Sequence, residues 1–149
     1  MHGVDKITSV ENVMLVSYLD ADALFMTKTL NVLADAGVVV DMISQTAPSG
    51  KRFRFSFSAA FDFFETAMKA LGNSSKENPP MISGGFTKVC LFGNDMVVSA
   101  GVAARALSCL NEKGIAVSMI TTSDYDISLL VRQEDADVSI QQLRNAFSV

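Results

Sequence analysis

Between Val13 and Leu71 the spacing of the apolar residues changes period more than once. Val13 to Tyr18 is a short apolar run of strand length. From Asp22 to Ala36, Met26, Leu30 and Leu33 recur at i, i+4 and i+7, which is one face of a helix. Gly37 follows, supplying the left-handed residue that ends such a helix. Val38 to Gln45 is a β-branched run, Pro48-Ser49-Gly50 is a turn, and Lys51 to Ser58 alternates strictly as a strand. Phe64, Ala67, Met68 and Leu71 then mark a second helix face. The predicted order is strand, helix, strand, strand, helix.

The second half repeats that order. Leu33 to Ile43 returns as Leu110 to Ile120, an offset of 77 residues, and the same offset aligns Lys28 with Arg105 and Leu30 with Leu107. Lys88 to Phe92 reads as a strand, Ala100 to Lys113 as a helix carrying Ala103, Leu107 and Leu110, and Ile115 to Thr121 as a strand. Asp126 to Arg132 is the next strand, with Ile127, Leu129 and Val131 on one face, and a closing helix carries Ile140, Leu143 and Phe147. The first half has a fourth strand in Met81-Ile82-Ser83, after the polar linker Gly72 to Pro80. The second half has none left, whereas Val4 to Val10 is unused. The chain is therefore read as α+β: two ferredoxin-like βαββαβ modules in tandem, interlocked by an N-terminal strand that completes the second. The first module is expected over residues 11–85, and the second over residues 86–149 with strand 4–10 added. The sheet face away from the helices, assigned Val39, Ile43 and Met14 or Val16, is expected to meet another module or a second copy.

Composition narrows the chemistry. In 149 residues, 49% are hydrophobic and 19% charged, enough apolar matter for a packed core and too much for a disordered chain. No apolar run reaches the roughly 18 residues that span a bilayer, and Asp5, Lys6, Glu11 and Asp20 interrupt the start, so a cytoplasmic protein without a membrane partner is expected. His2 is the only histidine, which removes the usual general base and the commonest metal ligand. Cys90 and Cys109 have neither zinc-ligand nor disulfide-framework spacing and read as core thiols. No catalytic residue, metal site or cofactor is expected. A net charge of −4 and a pI near 4.8 argue against nucleic acid, which needs clustered Lys and Arg. Lys51-Arg52-Phe53-Arg54-Phe55-Ser56-Phe57 resembles the base-stacking strand of RNA-recognition modules. The alternation instead assigns Phe53, Phe55 and Phe57 to the core and Arg52, Arg54 and Ser56 to the opposite face.

One stretch carries a more specific pattern. Gly93, Met96, Gly101-Val102-Ala103-Ala104, Gly114-Ile115, Met119-Ile120-Thr121-Thr122-Ser123-Asp124, Ile127-Ser128 and Leu143-Arg144-Asn145-Ala146-Phe147 resemble the tandem ACT domains of the aspartate kinase regulatory region. In the first half, Leu33-Ala34-Asp35-Ala36, Val40-Asp41-Met42-Ile43 and Gln45 are similar to the same family. The resemblance implies regulation without catalysis. Such pairs bind a free amino acid, of the lysine or threonine class, at ACT–ACT interfaces and control amino-acid metabolism through a kinase. It further implies a homodimer and a separate kinase or other enzyme subunit as partner. The alternative is a ligand-free ACT module for assembly with an enzyme or transporter.

The resemblance also nominates residues. Gln45 matches the family's ligand-contacting glutamine, and Ala116 and Val117 match strand positions that lend backbone groups. Ser123 and Asp124 match the serine and acidic residue used for lysine in some members. The family's D-x-P-G turn aligns with Ala21, Asp22, Ala23 and Leu24, or with Asp20 first under a one-residue shift. Leu24 replaces a glycine, and Asp22 competes for the same helix start. Gly101 keeps the glycine in the second half, giving a second turn at which a ligand could bind.

Overall fold

The computed structural model describes residues 3–72 and 76–149. His2 and part of the predicted linker, residues 73–75, lie outside the described residues. The elements are β1 (Lys6–Ala21), α1 (Ala23–Asp35), β2 (Ile43–Gln45), β3 (Phe53–Ala60), α2 (Phe64–Leu71), β4 (Met81–Phe92), α3 (Val102–Asn111), β5 (Val117–Thr122), β6 (Asp126–Arg132) and α4 (Ala136–Phe147). Hydrogen-bonded neighbours follow the order β2-β3-β1-β4-β6-β5. The chain divides into two compact units, Asn12–Gly84 and the stretch ending at Glu11 together with Gly85–Val149. The fold is the α+β, ferredoxin-like duplication that the repeat predicts.

Two pairs of predicted strands are fused. The leading strand and Val13 to Tyr18 are both parts of β1, and Met81-Ile82-Ser83 and Lys88 to Phe92 are both parts of β4. Each long strand passes from one unit to the other at a left-handed residue, Asn12 (φ 57°) in β1 and Gly85 (φ 77°) in β4. Such a residue re-aims an extended chain without ending it.

In the Asn12–Gly84 unit, β1 pairs antiparallel with β3 from Val13↔Ala60 to Tyr18↔Phe55, and β2 adds Ile43↔Phe57. A period of two then puts Met14, Val16 and Tyr18 on the same side as Phe55 and Phe57. Leu33 from α1 and Ala67 and Leu71 from α2 pack in the same buried cluster. This corrects the assignment of Met14 or Val16, and of Ile43, to the other sheet face: Met14 and Val16 are fully buried in this cluster, and Ile43, though exposed, pairs with Phe57 and shares its side, while Val39 is exposed. Phe53, Phe55 and Phe57 are buried as the alternation requires, so no base can stack on them.

In the other unit, β6 pairs antiparallel with both β4 and β5, and Val89, Leu91, Ile127, Leu129 and Val131 form the sheet side of its core. The α3 face is turned slightly from the predicted one: Val102, Ala106 and Leu110 are buried, with Ala103 and Leu107 flanking. Residues four apart drift around a 3.6-residue helix, so both rows border one apolar stripe. The leading segment belongs to this core. Val4 and Ile7 are buried in it, Asp5 N donates to Phe92 O at 2.7 Å, and Asp5 Oδ2 accepts from Asn94 N at 2.9 Å. Gly93 permits that approach, because a Cβ there would overlap the Gly3 carbonyl oxygen and sit 3.0 Å from Val4 Cα.

Met14, Met42, Met96 and Met119 are buried, and Met68 is exposed. Cys109 packs against the core and donates to Ala106 O at 3.2 Å, with burial pushing its thiol pKa up. Cys90 is half-buried and pairs with Ser128, on the face opposite Val89 and Leu91. Among the described residues no helix is long and apolar enough to cross a membrane, and no three His, Cys, Asp or Glu side chains are grouped to hold a metal.

Candidate functional site

The first nominated turn is occupied by the protein's own charges. Asp22 is the N-cap of α1, and its Oδ1 accepts from Phe25 N at 2.8 Å. That satisfies one of the free N–H groups at the helix start, the feature that would otherwise attract a ligand carboxylate. Arg52, reaching over from just before β3, donates from Nε to Asp20 Oδ1 at 2.7 Å and lies 3.4 Å from Asp22 Oδ2 through Nη1. The hydrogen bond from Arg52 holds the Asp20 carboxyl below the usual carboxylate range. Both partners are well exposed, so the pair fixes geometry more than it stabilises. Leu24 is 63% exposed and lines a cavity of about 360 Å³ with Asp22, Ala23, Pro48, Lys51 and Phe53.

Gln45 lies elsewhere in the same unit. It is exposed on β2, opposite Phe55 in register, and lines a cavity of about 290 Å³. Register puts Gln45 on the Phe55 side, so it borders the cavity at the edge of the sheet, and the side chains facing the cavity come from the other side. Ser56 pairs with Ser17 on β1 and with Ser44 on β2, placing three hydroxyls in one row across three strands. Ser17 and Ser56 share a hydrogen bond at 2.7 Å. Arg54, two residues along β3, lies on the same face, and its backbone N donates to Thr46 Oγ1 at 3.0 Å. Leu19, Thr46 and Arg54 also line a third cavity, of about 200 Å³, together with Asp20 and Arg52.

The second-half nominees all lie in the other unit. Gly101 is the N-cap of α3, at φ 84° and ψ 8°, a conformation that strains any residue with a Cβ; it is exposed and gives no side-chain cap. Ala116 is exposed just before β5, and Val117, its first residue, is half-buried against the core. Ser123 and Asp124 sit in the hairpin between β5 and β6. Ser123 Oγ accepts from Tyr125 N at 3.2 Å and Asp126 N at 3.1 Å, so its hydroxyl builds the turn, and Asp124 is exposed at the tip. The structure thus groups Asp20 with Asp22 through Arg52, and puts Gln45 at a hydroxyl-lined cavity. Arg54 and the serine row were not nominated. The alternation of Lys51 to Ser58, which already sets Arg52, Arg54 and Ser56 on one face, was the signal for them.

Behind this face is a polar atom without a partner. Tyr18 stacks on Phe55 with centroids 5.0 Å apart, and its buried hydroxyl finds no hydrogen bond among the described residues. Burial pushes its pKa up to about 12. The neutral phenol's contribution to stability is whole below about pH 10 and is lost as pH rises through about 12. Tyr18→Phe is expected to raise stability by about 1 kcal/mol, since it deletes an unsatisfied donor, and to remove that alkaline loss. Urea melts at pH 7 and pH 11 check both parts; a destabilised variant would reveal a partner for the hydroxyl.

Residues 89–147 match the ACT domain family. That stretch is similar to an ACT domain. The aspartokinase of Geobacillus stearothermophilus is 28% identical over 145 residues, covering 97% of this chain and 34% of that protein. The chain thus spans about a third of the length of the curated relatives it matches. Among solved structures, the ligand-free regulatory subunit of aspartate kinase from Thermus thermophilus superposes with a TM-score of 0.88 at 23% identity, covering 97% of this chain and 99% of that one. A structure of aspartokinase alpha and beta subunits gives 0.86 at 26% identity, covering 98% and 99%. The whole chain therefore has the tandem ACT fold of the aspartate kinase regulatory region.

Proposed function

We propose that this chain is a non-catalytic regulatory protein of the aspartate kinase type, which binds a free amino acid and passes its occupancy to a kinase or other enzyme partner. The reading takes residues 11–85 as the first ACT module and residues 86–149 with strand 4–10 as the second, in a homodimer. The observation that carries it is the fold, shared over almost the full length of an aspartate kinase regulatory subunit. Gln45 on a hydroxyl-lined cavity adds a place for ligand. Ligand that favours one packing of the modules would shift a population, and a partner that distinguishes the packings would read the shift.

A second reading is a ligand-free assembly module. The filled start of α1 favours it: Asp22 caps the helix, Arg52 ties down both carboxylates, and Leu24 stands where the family has glycine. Thermal melts against each of the twenty amino acids separate the two. A sensor is expected to melt higher with one or a few of them, by the equivalent of about 2.7 kcal/mol at a hundred times Kd. A flat panel at millimolar concentration leaves the assembly module.

A further inference from the structure

We infer that the cavity beside Gln45 takes a ligand bearing an extra anionic group, a second carboxylate or a phosphate, with Arg54 as the residue that receives it. This rests on the effector reading above and narrows it, away from the lysine class. The first reason is charge. None of the cavity's lining residues is Asp or Glu, and Arg54 is its one cation. The two carboxylates that could hold an ammonium, Asp20 and Asp22, are outside that lining and engaged by Arg52. Arg54 has no ion pair among the described residues, so its guanidinium keeps five N–H donors in a planar fork suited to a carboxylate or phosphate.

The second reason is the set of hydroxyls beside it. Ser44 Oγ has no hydrogen-bond partner among the described residues. Ser17 and Ser56 spend one proton on their mutual bond, which leaves the other free to donate. Thr46 Oγ1 accepts from the Arg54 backbone, so its own proton is also unspent. Three available O–H donors and a guanidinium, with no competing carboxylate, form a site for an anion. Lysine, with a second ammonium, would meet no opposite charge there.

Calorimetric titration of the full chain with L-aspartate, L-glutamate, inorganic phosphate, L-lysine and L-threonine tests this, with Arg54→Gln and, as a charge control on α4, Arg144→Gln. The expected result is binding of an acidic amino acid, weakened at least tenfold by Arg54→Gln and by raised salt, and unchanged by Arg144→Gln. Both variants should melt as the parent does, since Arg54 and Arg144 are exposed. Binding of phosphate alone, lost in Arg54→Gln, would uphold the anion site and overturn the amino-acid reading. Binding of lysine or threonine alone, or of any ligand indifferently to Arg54→Gln, would overturn the anion site and leave the effector reading standing. No binding by any of the five overturns the inference.

Discussion

Phe57→Ala is expected to cost the Asn12–Gly84 unit about 3–5 kcal/mol, the usual loss when a fully buried phenylalanine is cut back to a methyl group. Phe57 is on β3 between two strands, opposite Val16 on β1 and Ile43 on β2, and it has no exposed surface. A cavity there cannot collapse easily, because its walls are strand positions held by register on both sides. Against a typical domain stability of about 5–15 kcal/mol, that is a large share. Urea denaturation followed by hydrogen exchange at the amides of Val16 and Phe55 measures it locally, so that the second unit does not mask the change. Arg54→Gln, on the opposite face of the same strand, should stay within about 0.5 kcal/mol. Equal costs at the two positions would contradict the alternation on which the core assignment depends.

Gly93→Ala is expected to cost about 3 kcal/mol in the other unit, a large effect for a single added carbon. The new Cβ would meet backbone, the Gly3 carbonyl and Val4 Cα, and neither can rotate away as a side-chain tip could. Relief requires the leading segment to shift. It would then lose the Asp5 hydrogen bonds to Phe92 O and Asn94 N and part of the burial of Val4. Because the φ of Gly93 is not left-handed, the cost is steric rather than conformational. Exchange protection at the amides of Asp5 and Asn94 should fall first, before that of Leu129. A loss under about 1 kcal/mol would mean that the leading segment is not seated where the structure puts it.

How far the sequence carried each part depends on what the part rests on. The core of the Asn12–Gly84 unit was legible because strict alternation at Lys51 to Ser58 leaves one choice of buried face, whereas Asp126 to Arg132 is buried on both faces, with Ser128 and Leu130 opposite Ile127, Leu129 and Val131. The leading strand's membership was legible by counting, since the second half lacks a fourth strand of its own. The continuity of β1 and β4 was not. Glu11-Asn12 and Gly84-Gly85 read as interruptions, and only backbone angles reveal that a left-handed residue lets the strand continue. The face assigned to Met14 and Val16 went astray because two apolar residues at even spacing say which share a side, not which side the helices cover. Gln45, Asp20 and Asp22 came from family resemblance alone. What the site does with charge depends on Arg52 meeting carboxylates 30 and 32 residues away, and on Arg54 meeting none, and sequence spacing does not encode such pairings.

The division of β1 between units also bears on dissection of the molecule. Residues 12–84 are an insertion within the other unit, whose own polypeptide is discontinuous, entering before Glu11 and resuming at Gly85. No single scission can liberate both halves whole. A fragment beginning at Gly85 lacks Val4 and Ile7 from its interior. Only a circular permutation, or a splice joining the two ends of that broken unit, would isolate it with every strand it uses.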